Sequence, residues 1–291
     1  RQHTIHTMNI ESPGRRLRNL MSQGVVAAPG AFTALVGRSV TQAGFEAVYI
    51  SGGATANTAG VPDVGLLTLT EVCRTIREIS VASGLPTIVD ADTGYGEVEM
   101  VRRTVIEYER AGAAALHLED QVFPKRCGHL DGKTLICTED MAAKVSAAAD
   151  AKSDDFVLIA RTDARGIDGL DAAIERGRAY REAGANMIFP EGLTSEKEFD
   201  TFAKACPGLL LANMTEFGKT PFIGLNRFGE MGYDLVIYPV TMQRVAMHAV
   251  TMALAELRSA GSVEGFLDRC QTRQALYELL GYEPGVEWES R

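Results

Sequence analysis

Lys125-Arg126-Cys127-Gly128-His129 places a thiol among cations, just after an apolar run that ends in Glu119 and Asp120. Positive neighbours stabilise a thiolate, Gly128 frees the backbone and His129 can move a proton, so the run suits proton transfer or nucleophilic attack. A basic surface turn with an incidental cysteine has the same composition. Asp90-Ala91-Asp92, followed by Thr93-Gly94-Tyr95-Gly96, is a second signature. Two carboxylates with no Cys or His ligand set beside them suit a hard, oxygen-seeking ion; magnesium is the natural candidate and manganese its substitute. Glu119 would then hold a coordinated water. The competing reading makes one aspartate the cap of the next helix. Late in the chain stand Arg244 and Arg273, of a type that grips planar carboxylates, although most arginines coat solvated helix faces.

These groups can act together only if the fold gathers them. Short apolar runs at 25–29, 47–51, 87–92, 115–120, 156–163, 187–191, 209–215 and 235–239 read as strands. Amphipathic stretches, among them 69–83, 97–111, 138–151, 169–183 and 195–205, read as the helices between them. Eight strand and helix alternations predict a closed parallel (β/α)8 barrel. A doubly wound open sheet is the runner-up, but Pro29-Gly30-Ala31-Phe32 lacks its Gly-rich phosphate loop. With side chains alternating at period two, Tyr49 shares a face with Ser51, as do Asp90 with Asp92, His117 with Glu119, Arg161 with Asp163, Phe189 with Glu191, and Asn213 with Thr215. Any one pair could be a buried ion pair or a satisfied core histidine. Six at the same strand end point to the barrel rim, where such folds build active sites. Residues 119–133 exceed an ordinary βα connection and read as a lid carrying Cys127, with Gly128 and Gly132 as hinges.

The 291 residues fit one barrel domain, 1–291, with a flexible 1–11 and a helical portion at 241–291 whose apolar faces exceed what closing a barrel requires. With 46% hydrophobic and 23% charged residues the chain is of ordinary globular composition, and no run is apolar enough to cross a bilayer. The net charge of -9 speaks against nucleic acid as a partner and leaves small carboxylates as substrates wherever cations cluster. Five cysteines without paired or zinc-type spacing suggest a reducing compartment, cytoplasmic or, in a eukaryote, the mitochondrial matrix. Starting at Arg1 and lacking a secretory signal pattern, the chain reads as one from which a leading segment has been removed, a transit peptide being one kind.

Ser51-Gly52-Gly53, Asp90 through Gly96, Glu119-Asp120-Gln121, the Lys125 to His129 run, Ala160-Arg161-Thr162-Asp163 and Asn213-Met214-Thr215, in that order, resemble the isocitrate lyase and phosphoenolpyruvate mutase superfamily. Phe189-Pro190-Glu191, Glu216 through Pro221 and Gln271-Thr272-Arg273 are similar to the 2-methylisocitrate lyases within it. The resemblance spans about residues 12 to 282. It implies magnesium-dependent cleavage of 2-methylisocitrate to pyruvate and succinate, the chemistry of propionate breakdown through the methylcitrate cycle. It implies that Asp90 and Asp92 anchor the ion, with Glu119 behind them, and that Ser51, Gly52 and Gly53 bind the portion that becomes pyruvate. Arg161, Glu191, Asn213, Met214, Thr215, Arg244 and Arg273, with Cys127 and Gly128, would bind substrate. Cys127 would protonate the succinate carbanion, tuned by Lys125, Arg126 and His129, while Lys125 or Tyr49 would take the hydroxyl proton. A homotetramer exchanging C-terminal helices is also implied.

Ile237, Gly192 and Met214 depart from the expected pattern, so the methyl pocket of Phe189 and Ile237 is an inference from the resemblance. 2,3-Dimethylmalate lyase and oxaloacetate hydrolase are the neighbouring alternatives, and a phosphonomutase has no need of the cysteine. A Schiff-base aldolase is disfavoured because none of the eight strands carries a lysine. A silent scaffold would not keep all these groups together.

Overall fold

Strands whose alternate residues are apolar on both faces must be covered on both, and a parallel sheet ringed by helices does this. A computed structural model describes residues 11–128 and 132–288. Its strands are β1 Val26–Pro29, β2 Val48–Ile50, β3 Thr87–Asp90, β4 Ala115–Glu119, β5 Val157–Thr162, β6 Met187–Pro190, β7 Leu209–Asn213 and β8 Leu235–Tyr238. Neighbours pair in parallel, in the order β1-β8-β7-β6-β5-β4-β3-β2. The seam between β1 and β2 is joined by a parallel bridge of Gly30 with Tyr49, where the Ala31 amide donates to the Tyr49 carbonyl at 2.9 Å. The result is the nearly closed (β/α)8 barrel expected from the alternation.

The helices are α1 Pro13–Gln23, α2 Ala34–Gln42, α3 Gly52–Thr58, α4 Leu69–Ser83, α5 Val98–Ala111, α6 Thr138–Ala151, α7 Leu170–Glu182, α8 Glu196–Ala205, α9 Leu225–Glu230, α10 Thr241–Ala260 and α11 Arg273–Leu280. Their starts follow local chemistry: Thr68 and Glu71 form a reciprocal capping box on α4, and Ser195 caps α8. Among the described residues no helix is long and apolar enough to cross a membrane.

The period-two pattern separates two apolar cores. Outward residues such as Val48, Val89, Leu116, Leu158, Ile188 and Val236 pack under the helices. Inward residues, including Ala28, Ile88, Ile159, Met187, Leu211 and Leu235, fill the barrel, and Leu17 and Met21 of α1 close its N-terminal end. The interior turns polar only at the strands' carboxyl ends, so those groups face the open mouth.

β1 ends at Pro29 as expected, and each of the other seven strands stops one or two residues short of its expected carboxyl end. Asp92, expected in β3, lies beyond the ladder with φ of 47°, in a tight turn supported by the Gly94 amide donating to the Ala91 carbonyl at 2.8 Å. Thr215 likewise lies past β7. The pairing ends where the chain must turn toward the helix layer, and the polar residues there serve the mouth rather than the sheet.

Candidate active site

The register sets the first layer of the site. Asp90 pairs with His117 across β3 and β4, and Glu119 with Arg161 across β4 and β5, so four inward side chains form two successive rows at the mouth. The Tyr49 hydroxyl lies 2.7 Å from His117 Nε2, and the Phe189 ring meets the imidazole edge-on at 5.3 Å. Burial lowers the His117 pKa to about 4, so the ring is neutral at pH 7. Burial, then the Asp90 charge, push the Tyr49 phenol far above its ordinary value.

Arg161 is the buried cation of the opposite wall. It donates to Asp163 through Nε at 3.0 Å and Nη2 at 3.1 Å, and lies 3.4 Å from Glu119 and 3.7 Å from Glu191. Asn213 donates to Glu191 at 3.0 Å, and the guanidinium stacks over Phe189. Burial opposes ionisation of Asp163, but Arg161 and Lys133 override it and hold the carboxyl below its ordinary range. Glu119 differs: burial dominates, Arg161 and Lys125 offset it incompletely, and its carboxyl is raised. Neither Glu119 oxygen has a hydrogen-bond partner among the described residues.

Asp90 accepts from the Gly52 amide at 3.1 Å and from the Asp92 amide at 2.9 Å. Burial works to raise its carboxyl, but His117, which is charged at the acid pH where Asp90 titrates, together with Lys125 and Arg161 brings it down to about 2. Asp92, pushed by burial and by Asp90, rises to about 6. Lys125, 3% exposed, lies 2.8 Å from Asp92 and pairs with Asp63. Burial opposes its charge, yet Glu119, Asp90, Asp92 and Asp63 together raise its proton affinity. Lys125 and Tyr49, the two expected bases, therefore both carry their protons here.

The fit of a divalent cation can be judged from Gly52. A Cβ there would lie 2.8 Å from Asp90 Oδ2 and 3.1 Å from Asp92 Oδ1, so two carboxylate oxygens face one small cradle that only a glycine leaves open. Oxygen donors alone, with Glu119 behind them lacking hydrogen bonds, fit an ion that keeps much of its water and meets one or two carboxylates. Among the described residues no group of three or more His, Cys, Asp or Glu side chains forms a protein-only metal cage.

Tyr49, Ser51, Gly53, Asp90, Lys125, Cys127, Gly128, Arg161, Glu191, Asn213, Thr215 and Arg244 line one cavity of about 310 Å³. Phe189 and Ile237 form its apolar wall. Arg244 sits at the mouth, 3.4 Å from Glu216 and over the Phe217 ring. Such a chamber, with carboxylates at one side, arginines at the other and a thiol between, can bind a polyanion and move a proton within it. The sequence matches the phosphoenolpyruvate phosphomutase family over residues 17–258. The chain belongs to this family.

Two relatives are similar over most of their length. The chain is 53% identical over 266 residues to the probable 2-methylisocitrate lyase 1 of Corynebacterium glutamicum, covering 91% of this chain and 87% of that one. It is 48% identical over 274 residues to the 2-methylisocitrate lyase of Aeropyrum pernix, covering 94% and 89%. Among solved structures, 2,3-dimethylmalate lyase, a PEP mutase/isocitrate lyase superfamily member, superposes with a TM-score of 0.88 at 37% identity, covering 94% of this chain and 92% of that one.

Not every residue that the phosphoenolpyruvate phosphomutase-family resemblance nominates reaches the cavity. Met214 faces outward into the helix-side core, where its sulfur accepts from the Ile223 amide at 3.4 Å, because its neighbours Asn213 and Thr215 take the inward positions. Arg273 opens α11, is exposed, and lies on the outside of the barrel where α11 meets α2. Gly52 and Asp92 stand behind the lining, against the carboxylate cradle. The Arg126 backbone is held by Gln121, and its side chain lies beside Gly132 rather than in the cavity. His129 lies outside the described residues. Asp63, Asn57 and Glu216 line the cavity without having been nominated. They sit in turns or on a helix face, with no strand period to expose them; Pro62 before Asp63 was the one local sign of a fixed turn.

Proposed function

We propose that the protein is a magnesium-dependent carbon-carbon lyase that cleaves 2-methylisocitrate to pyruvate and succinate. One observation carries the reading: Cys127 lines the same cavity as Asp90 on one side and Arg161, Asn213, Thr215 and Arg244 on the other. The two 2-methylisocitrate lyase relatives support the substrate. Asp90 and Asp92 would hold the ion, with Glu119 reaching it through water. When bound, the ion draws electron density from the oxygens of the portion that becomes pyruvate.

The chain's own groups do the rest. Ser51 and Gly53 flank the pyruvate end. Arg161 and Arg244 draw the remaining carboxylates, and their charge matters most as the bond breaks and electrons pass to the succinate carbon. The hydroxyl loses its proton, the carbon-carbon bond breaks, and the Cys127 thiol supplies a proton to the carbanion. Tyr49 and Lys125, protonated here, steady oxygen charge in this state; either can accept the hydroxyl proton only after substrate and ion have entered and its own proton has passed to solvent. Phe189 and Ile237 would receive the methyl group, a contact worth about 1 to 3 kcal/mol in discrimination.

We also propose one domain over 1–291, assembled as a homotetramer through the 241–291 portion, in a reducing cytoplasmic compartment. The deciding experiment offers 2-methylisocitrate, 2,3-dimethylmalate and oxaloacetate separately to the magnesium-loaded protein and follows pyruvate and oxalate. Pyruvate from the first is expected; activity confined to either other acid would overturn the substrate assignment.

A further inference from the structure

Cys127 is bracketed by two backbone carbonyls, and both are held by side chains that meet on one buried carboxylate. Gln121, directly after Glu119-Asp120 and 2% exposed, accepts from the Arg126 amide at 2.8 Å and donates through Nε2 to the Arg126 carbonyl at 2.9 Å and to Asp163 at 3.2 Å. Lys133, on the far side of the loop, donates to the Gly128 carbonyl and to Asp163 at 3.0 Å. Asp163 is fully buried and is also the two-pronged partner of Arg161.

The three partners of Gln121 dictate its chemistry. An amide N–H demands an acceptor, while a carbonyl and an ionised carboxylate demand donors, so the group between them needs one acceptor and two donors. A carboxamide has both; a carboxylate or an alkyl chain of the same size does not. The Arg126 carbonyl belongs to the peptide that leads into Cys127, so gripping both ends of Arg126 fixes the next α-carbon. On the other side, a Cβ at Gly128 would lie 2.4 Å from Arg161 Nη2, which shows how closely this backbone is seated against the arginine.

We infer that Gln121 is a positioning residue that, with Lys133, seats Cys127 at a fixed reach from Arg161 by tying both flanking carbonyls to Asp163. The inference rests on the proton-donor reading of Cys127. A donor must come within hydrogen-bond reach of its carbon at the instant of cleavage, and a misplacement of about 1 Å is worth on the order of 100-fold in rate. Substrate carboxylates are held by other groups, so KM should move little.

The test compares Gln121→Glu, Lys133→Met and Lys133→Arg with wild type in the full-length, magnesium-loaded protein. Gln121→Glu is expected to lower kcat about 10- to 100-fold while KM changes less than about threefold. Lys133→Met should lower kcat in the same way, and Lys133→Arg should recover part of it. Independently of any substrate, iodoacetamide labelling followed by peptide mass spectrometry should find Cys127 modified at least about threefold faster in Gln121→Glu, with Cys137, exposed like Cys127, unchanged as internal reference. The added acid disfavours a thiolate, so a faster rate reports a loosened seat. Unchanged Cys127 labelling in a folded Gln121→Glu protein, or kcat within about threefold of wild type, overturns the inference. Should Gln121→Glu fail to fold, Lys133→Met with wild-type kcat overturns it equally. A wild-type protein inactive on 2-methylisocitrate would sink the substrate reading, while the labelling comparison would still decide the role of Gln121.

Discussion

Cys127 and His117 are the residues at which proton chemistry can be tested most directly. If the thiol supplies the last proton, Cys127→Ser leaves binding intact and slows turnover by about 100-fold or more, because a hydroxyl is a much weaker acid at the same place. Steady-state kinetics with kcat unchanged would remove Cys127 from that role. His117 makes a separate prediction about stability. Burial depresses its pKa from 6.5 to about 4, so between these values the folded chain binds fewer protons than the unfolded one. Its contribution is present above pH 6.5 and is lost as pH falls toward 4, to the extent of about 3 kcal/mol. Asp92, raised to about 6, runs the other way, losing stability as pH rises from 3.8 through 6, so the wild-type curve alone blurs both. Urea denaturation of wild type and His117→Gln at pH 7 and pH 4 isolates the histidine: the variant should gain on wild type in acid, and parallel behaviour would refute the assignment. Strand period made Tyr49, His117, Glu119, Arg161, Glu191 and Asn213 legible as one face, because alternation is a geometric fact of the backbone. Asp63 and Gln121 escaped since turns carry no period, and the Arg273 match is a matter of motif alone, which does not say which side of the barrel a helix lies on.

At the scale of elements, the alternation of strands and helices was fully readable, and the errors gathered at carboxyl ends. There the chain leaves the ladder to build the mouth, so hydrophobic runs outlast hydrogen-bonded strands by one or two residues. The junction of β2 with α3 shows what such an end does. Ser51 caps the helix by accepting from the Ala54 amide at 3.2 Å, and this turn brings Gly52 against the Asp90 and Asp92 oxygens. Gly52 is helical and needs no left-handed backbone, so alanine there should favour α3 by about 1 kcal/mol if conformation were all that mattered. The cradle predicts the reverse for function. Gly52→Ala should weaken magnesium binding by about tenfold or more, read as a smaller magnesium-induced rise in melting temperature as well as a higher magnesium requirement. An undiminished thermal shift would show that the two carboxylates do not share the ion.

The whole molecule leaves α10 unfinished. Met247, Val250, Leu254 and Leu257 follow a spacing of three, four and three residues along one stripe, while Val245 and Met252 face away from it, and all six are exposed. Gln243 is the one buried residue of the helix, so α10 gains little from its own barrel. A helix apolar on more than one side needs cover on more than one side. Further copies of this chain are the cover we propose, as a tetramer. The same helix begins at the cavity mouth, where Arg244, Val245, Met247 and His248 share a groove with Glu216 and Phe217, the last 90% exposed with φ of 61°. Assembly would therefore enclose the mouth as well as the helix, and the two effects should fail together. Light scattering should give a tetramer for wild type and smaller species for Leu254→Glu, which lies far along α10 from the mouth. The split variant should also lose activity, with KM rising more than kcat falls, since Arg244 would be left in open solvent where its pull on a carboxylate is screened. A monomeric wild type would refute the assembly, and a dissociated variant with unaltered kinetics would show that the mouth is complete within one chain.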